Sequence, residues 1–106
     1  MMSLDDLREI LLRTGLPVVY DFWPIGQAPE LPWLCYRTSS SDNFFADDTV
    51  YCQISNVEIE LYTAIKSPAT EQQVEIVLTA AGLPWEKTEV WISAENCYQI
   101  TYVIEV

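Results

Sequence analysis

The sequence contains no histidine, and only three glycines and five basic residues occur among its 106 residues. Without histidine, the chain lacks the usual base of a nucleophilic hydrolase and the commonest metal ligand in proteins. The glycines, at positions 15, 26 and 82, are too far apart to present a phosphate with successive backbone N–H groups. These absences argue against a histidine-dependent hydrolase and against a nucleotide-binding loop.

Cysteine is also scarce, and its spacing does not match a short metal-binding motif. Cys35, Cys52 and Cys97 are odd in number, lie far apart and sit inside apolar, strand-like runs. This distribution is typical of reduced cysteines in a core, and it argues against disulfides and against a zinc centre. We therefore expect neither a metal nor another cofactor.

Long apolar runs are missing as well. No run approaches the roughly 20 residues that cross a bilayer. The N-terminus also lacks the basic-then-apolar layout of a signal peptide. These features predict a protein without membrane contact that stays in the cytoplasm of the cell that makes it.

Basic charge is outweighed by 16 acidic residues, which leaves a net charge of −11. Because affinity for nucleic acid depends mainly on Lys and Arg, direct phosphate binding is disfavoured. A net charge of this size keeps a small domain soluble and monomeric until it meets a partner. The length fits one domain over residues 1–106.

Two segments carry helix start and stop signals. Ser3 precedes a helical spacing of leucine and isoleucine over residues 4–14, and Gly15-Leu16-Pro17 follows it. A second helix is predicted over residues 68–81, with Ser67 as its N-cap and Pro68 at its first position. Gly82-Leu83-Pro84 then repeats the first stop signal.

Five segments are strand-like: residues 18–22, 33–38, 49–65, 85–92 and 97–106. The order α-β-β-β-α-β-β predicts an α+β fold, with a twisted, mostly antiparallel sheet and both helices on one face. Within residues 49–65 the apolar alternation changes parity at Ser55-Asn56. Either a β-bulge in one long strand or a two-residue turn between two short strands explains this change, and we favour the bulge.

Residues 39–48 are mostly polar, and we expect them to form a mobile loop between two strands. Phe44 and Phe45 lie in the middle of this stretch, where an aromatic pair either tucks back onto the domain or waits for a partner. Asp47 and Asp48 are interpreted as a turn that leads into the next strand.

Glu58 and Glu60 are predicted to share one strand face with Tyr62. By strand rise the two carboxylates lie roughly 6.6 to 7 Å apart, a spacing compatible in the abstract with glycoside hydrolysis. No other part of the sequence indicates a sugar-binding cleft. We therefore interpret this face as solvent-exposed or as a contact with another subunit, with a small enzyme as a minor alternative.

A family resemblance rests on five segments taken in order: Leu16-Pro17-Val18-Val19-Tyr20, Pro32-Trp33-Leu34-Cys35-Tyr36, Ser41-Asp42-Asn43-Phe44-Phe45-Ala46-Asp47-Asp48, Val57-Glu58-Ile59-Glu60-Leu61-Tyr62-Thr63 and Gly82-Leu83-Pro84-Trp85-Glu86-Lys87. In this order and spacing the chain resembles small proteins encoded by siphophages and prophages of Gram-positive bacteria. Their genes lie in the head-to-tail joining part of the structural cluster. Within that cluster, tail terminator or tail completion protein is the role we prefer.

The resemblance implies a homo-oligomeric ring, commonly hexameric, at the head-proximal end of the tail tube. Such a ring contacts the major tail tube protein, ends tube polymerisation and presents its other face to the head connector, while DNA passes through the lumen. No catalysis is required. The candidate assembly residues are those of the 39–48 stretch, with the Glu58 face as a second surface: Asp42, Asn43, Phe44, Phe45, Asp47, Asp48, Glu58, Glu60 and Tyr62.

Two other functions stay open at this point. The chain could fill another connector or head-closure position in the same gene cluster. Alternatively, an acidic inhibitor that imitates DNA would also carry a large negative charge. Such a mimic needs carboxylates at phosphate-like intervals along one surface, whereas here they occur at helix starts, turns and alternate strand positions.

Overall fold

The computed structural model describes residues 3–46 and 49–105 of the chain, and the side chains of those residues outside 39–55. Its elements, in chain order, are α1 (Leu4–Leu12), β1 (Val18–Tyr20), β2 (Trp33–Ala46), β3 (Thr49–Thr63), α2 (Pro68–Ala80), β4 (Glu86–Ile92) and β5 (Cys97–Glu105). The predicted α+β class is confirmed. Neither helix within this described part is long and apolar enough to cross a membrane.

Both helices begin at the predicted caps. At α1, Ser3 Oγ accepts a hydrogen bond from the Asp6 backbone N–H (3.1 Å), and the Asp6 carboxylate accepts one from the Ser3 backbone N–H (3.1 Å). This reciprocal pair is a capping box. At α2, Ser67 caps the helix and Pro68 occupies its first turn, where a missing N–H has no consequence.

The five strands form one mixed sheet in the order β1-β2-β3-β5-β4. Strands β2, β3, β5 and β4 pair antiparallel, whereas β1 runs parallel to β2 with Val18 opposite Leu34. The parallel pair arises because residues 21–32 carry the chain back to the start of β1 before β2 begins. The sheet therefore has β1 at one edge and β4 at the other.

The core lies between both helices and one face of the sheet. Its strand residues alternate with side chains on the opposite face, which neither α1 nor α2 covers and which we call the open face. The core side chains are Leu7, Ile10 and Leu11 of α1, Val74 and Leu78 of α2, Leu83 after α2, and Val18, Leu34, Tyr36, Val57, Ile59, Leu61, Ile100, Tyr102 and Ile104 of the strands.

The stretch predicted as a mobile loop is the outer half of a long β-hairpin, so the loop prediction is wrong over residues 39–46. Pairing with β3 gives the backbone N–H and C=O groups of this stretch hydrogen-bond partners. Such pairing does not depend on apolar side chains. Asp47 and Asp48 lie outside the described residues. The predicted single long strand over the Ser55-Asn56 parity change is confirmed as β3.

The bulge favoured at Ser55-Asn56 of β3 is wrong in position, because the register shift near that point lies in the partner strand β2. Thr38 lies opposite Val57, whereas Ser40 lies opposite Asn56, so Ser39 is the extra residue. A second shift occurs between Phe44 and Phe45. Bulges of this kind increase the local twist of a two-stranded ribbon.

Candidate assembly interface

The outer half of the β2–β3 hairpin, residues 39–46 and 49–55, is called the arm. Strand β1 flanks β2 only as far as Tyr36, and β5 flanks β3 only as far as Asn56. Within the described residues, the arm strands therefore pair only with each other. At about 3.3 Å per residue the arm extends roughly 20 to 25 Å beyond the sheet.

Four of the predicted assembly residues lie in the arm. Asp42, Asn43, Phe44 and Phe45 belong to the β2 strand of the hairpin, close to its outer end. The other two members of this predicted surface, Asp47 and Asp48, are outside the described residues. A ribbon of two strands is marginally stable in water by itself, and both of its edges present backbone N–H and C=O groups. Within the described residues, the outer backbone edges of the arm are therefore open to further strand pairing.

The three residues of the second predicted surface differ in their exposure to solvent. Glu58 and Tyr62 are partly exposed on the open face, but Glu60 between them is only 5% exposed. Glu60 accepts hydrogen bonds from Arg37, from Gln99 Nε2 at 2.6 Å and from Tyr62 Oη at 3.3 Å. The expectation that Glu60 faces solvent or another subunit is wrong, because both carboxylate oxygens are already bound inside the domain.

Burial of Glu60 has a nonlocal cause. The Trp23 ring packs edge-on against Trp33, with 5.9 Å between ring centroids, and Trp33 in turn contacts the Tyr62 ring at 4.5 Å. Residues of the 21–32 segment and of strands β2 and β3 together line a cavity of about 310 Å³ on this side of the sheet, with Glu60 in its wall. The segment that connects β1 to β2 therefore shields part of the open face.

The electrostatics of this network are those of a structural ion pair. Burial raises the pKa of Tyr62, and the negative charge of Glu60 raises it further, so the hydroxyl stays protonated and donates to Glu60. The hydrogen bond to Glu60 likewise raises the pKa of Arg37. Glu58 and Glu60 consequently occupy different environments, although they are only two residues apart.

Sequence reasoning missed the partners of Glu60. Arg37 falls inside the predicted strand over residues 33–38 and Gln99 inside the one over residues 97–106, and the sequence pattern pairs neither of them with Glu60. One usable signal was present, because Arg37 is the single basic residue between positions 14 and 65. A lone cation inside a strand of an acidic chain indicates a nearby carboxylate partner.

A second ion network joins α2 to β4. Glu71, 2% exposed, binds Lys66 Nζ at 2.6 Å and Lys87 Nζ at 3.1 Å. Lys66 also binds Glu89 of β4, and Lys87 also binds Glu75 of α2 at 2.8 Å. Among the described residues, no group of three or more His, Cys, Asp or Glu side chains is arranged to hold a metal ion.

No protein-family model matches the chain, and no curated protein matches it either. The resemblance to tail terminator proteins therefore rests on the residues alone.

Replacing Glu60 with glutamine should lower the free energy of unfolding by about 1 to 2 kcal/mol, because an isosteric amide removes the charged acceptor of Arg37 and turns an NH₂ group toward donors. Urea denaturation of the purified protein measures this difference. The matched control is Glu58→Gln on the same face, for which we expect a change within about 0.5 kcal/mol. Equal losses in the two variants would contradict the structural role of Glu60.

The buried cysteines should be unreactive in the folded protein. Burial, with a smaller contribution from the charge of Glu60, raises the pKa of Cys35 to about 12, and burial also raises the pKa of Cys97. In a Cys52→Ser variant, we expect no reaction with a disulfide reagent at pH 8 until the protein unfolds. Absorbance of the released chromophore, followed with and without urea, checks this. Rapid labelling of native protein would contradict it.

Proposed function

We propose that this chain is a tail terminator or tail completion protein of a siphophage or prophage. Copies form a homo-oligomeric, hexameric ring on the head-proximal end of the tail tube. The ring ends polymerisation of the major tail tube protein and joins the tail to the head connector or head-closure protein. The protein acts by docking and performs no covalent chemistry.

The observation that carries this proposal is the arm. In a monomer, a ribbon that extends beyond the sheet exposes two strand edges and gains little stability from its own pairing. Such an element gains hydrogen-bonded partners when a neighbouring subunit or the end of a tube docks along it. Such a ribbon is useful to a protein that assembles with others, whereas a protein that stays monomeric gains little from it.

The charge of the chain also fits a ring through which DNA passes. Six copies at −11 each carry a formal charge of −66. An acidic lumen repels the phosphate backbone and lets DNA slide without binding. The same charge opposes association of the subunits, so ring formation should strengthen as added salt screens the repulsion.

Deletion of the gene from the phage or prophage that carries it tests this function, with electron microscopy of the lysate as the measurement. We expect overlong tail tubes without heads, and restoration of normal virions when the wild-type gene is supplied from a plasmid. Tails of normal length beside unattached heads would indicate instead a connector or head-closure protein. Normal virions from the deletion strain would contradict any role in tail assembly.

A further inference from the structure

We propose that the open face carries a groove that binds an extended, basic segment of another protein. The groove consists of two neighbouring cavities, both lined by the rings of Trp33 and Tyr62, and this ring pair between them is called the ridge. None of the residues that line the groove belongs to the arm. The inference therefore goes beyond the proposed function and does not rest on it.

The first cavity, of about 310 Å³, lies between the open face and the 21–32 segment. Its walls are largely aromatic, since Phe22 is 69% exposed beside it and Trp23 packs edge-on against Trp33 of the ridge. Clefts that hold ligands measure about 300 to 1,000 Å³. This cavity is at the lower end of that range and suits one long side chain.

The second cavity, of about 410 Å³, lies on the other side of the ridge, next to the turn between β4 and β5. Leu31, Ile92 and Cys97 line it with apolar groups, and Glu95 of the turn is the charged residue among its described lining residues. By strand alternation from the core positions of β5, the paired Ile92 and Cys97 lie on the open face, as the ridge does. The two cavities therefore open on one surface.

The ridge is held in place by the domain itself. Tyr62 Oη donates a hydrogen bond to Glu60 and accepts one from Gln99 Nε2 at 3.1 Å. The Trp33 and Tyr62 rings pack against each other with 4.5 Å between their centroids. Both rings are only partly buried, so aromatic surface remains in contact with water. A groove that is already ordered loses little conformational entropy when a ligand binds.

Charge identifies the occupant. Among the described residues of the two walls the single cation is Arg37, and it is bound to the buried Glu60. One further carboxylate belongs to each cavity. Asp21 is half exposed, and its one ion-pair contact within the described residues, to Arg37 Nη1, is as long as 3.9 Å. Glu95 is exposed and has no side-chain partner in the described part of the chain.

Lysine and arginine side chains match both kinds of group in these walls. They form charge-assisted hydrogen bonds with carboxylates, and they bind over the faces of Trp and Tyr rings. Extended backbone suits two cavities that flank a ridge, because it directs side chains two or three residues apart to the same side. Basic residues at two positions along such a segment then meet Asp21 in one cavity and Glu95 in the other.

A second copy of this chain does not supply such a segment. Its basic residues, at positions 8, 13, 37, 66 and 87, are never closer than five residues apart. Arg37, Lys66 and Lys87 are held in ion pairs. Arg8 lies within α1 and Arg13 is its C-cap, so neither belongs to an extended segment. The occupant is therefore a different protein, and the net charge of −11 favours the approach of a basic one.

Titration with a synthetic peptide tests the groove. The probe is Lys-Pro-Pro repeated four times, because proline keeps the peptide extended. Repeats of Gln-Pro-Pro and of Glu-Pro-Pro with the same length are the control peptides. The measurement is the position of the tryptophan indole N–H signals in ¹⁵N NMR spectra of the full-length protein.

The four tryptophans of the chain divide into two reporters and two internal controls. We expect the lysine peptide alone to shift the signals of Trp23 and Trp33, which line the groove. Trp85 and Trp91 pack against tyrosines whose positions in β5 lie on the helix side of the sheet, so their signals should stay in place.

Two substitutions separate the groove carboxylates from the rest of the negative charge. Asp21→Asn and Glu95→Gln remove one carboxylate each, and asparagine tolerates the left-handed backbone at position 21, where φ is +70°. Each should weaken binding of the lysine peptide by about threefold to tenfold at about 0.15 M salt. The matched control is Glu9→Gln on the exposed side of α1, which removes the same charge and should leave the Kd within about twofold. Circular dichroism verifies that the variants are folded.

Several outcomes would overturn the inference. Equal binding of the glutamine and lysine peptides would mean that the groove takes an apolar segment, and shifts at all four tryptophans would mean that the peptide associates with the acidic surface in general. Shifts of Trp23 and Trp33 on dilution without peptide would assign the groove to a second copy. A lack of shifts at about 1 mM lysine peptide would exclude a basic ligand. The phenotype of the gene deletion is independent of these results, so the groove and the tail function can fail separately.

Discussion

Replacing residues 39–56 with Asn-Gly should leave a folded domain that no longer terminates tails. Thr38 and Val57 lie directly opposite each other, so a two-residue turn can close the shortened hairpin without a change of register. The core side chains all lie outside the replaced segment. We therefore expect the free energy of unfolding to change by no more than about 1 kcal/mol, because an isolated ribbon contributes little stability.

Complementation measures the functional half of this prediction. The shortened gene, supplied to the deletion strain, should yield no more infectious particles than an empty plasmid, and micrographs should show tails like those of the deletion strain. The control is a full-length Glu58→Gln protein, which keeps the arm and should restore normal virions. Normal virions from the shortened gene would show that the arm is dispensable. A shortened protein without cooperative unfolding would show that the arm is part of the fold.

The helices were predictable because their signals are local. A cap such as Ser3 and a terminator such as Gly15, whose φ of +80° lies in the left-handed region, act within a few residues of the chain. The predicted helix ends differ from the observed ones by only one or two residues. The hairpin formed by β4 and β5 was also predictable, because its connection over residues 93–96 is short and rich in turn-forming residues.

The arm and the Glu60 network were not predictable in the same way. Residues 39–46 are strand because β3 pairs with them, and polar composition does not reveal such a partner. Glu60 was correctly placed on the face opposite the core, but residues 21–32 fold back over that face. Neither the local residue pattern nor the alternation along β3 indicates that residues 21–32 cover this face. The sequence therefore predicted which positions share the face of Glu58, Glu60 and Tyr62, but it did not predict that Glu60 alone among them is buried.

Among the ion-paired carboxylates, Glu71 is where a single substitution should cost the most stability. Truncation by Glu71→Ala should lower the free energy of unfolding by about 2 to 3 kcal/mol. Removing one partner of a fully buried ion pair costs about 3 to 5 kcal/mol, but Lys66 and Lys87 keep contact with water and with other carboxylates. The control is Glu89→Ala, which removes an exposed partner of Lys66 and should change stability by less than about 0.5 kcal/mol.

The contribution of the Glu71 charge should disappear in acid. Burial raises the pKa of Glu71, but hydrogen bonds from Lys66 and Lys87 outweigh it, and the pKa is held below its ordinary value of 4.5. Because the folded pKa is the lower one, this contribution is complete above the pKa of the unfolded chain. It is lost as the pH falls through the folded pKa. Urea denaturation of wild-type and Glu71→Gln proteins between pH 7 and pH 3 should therefore give curves that converge at low pH. A constant difference across that range would mean that Glu71 stabilises the domain by packing, and that its charge does not join α2 to β4.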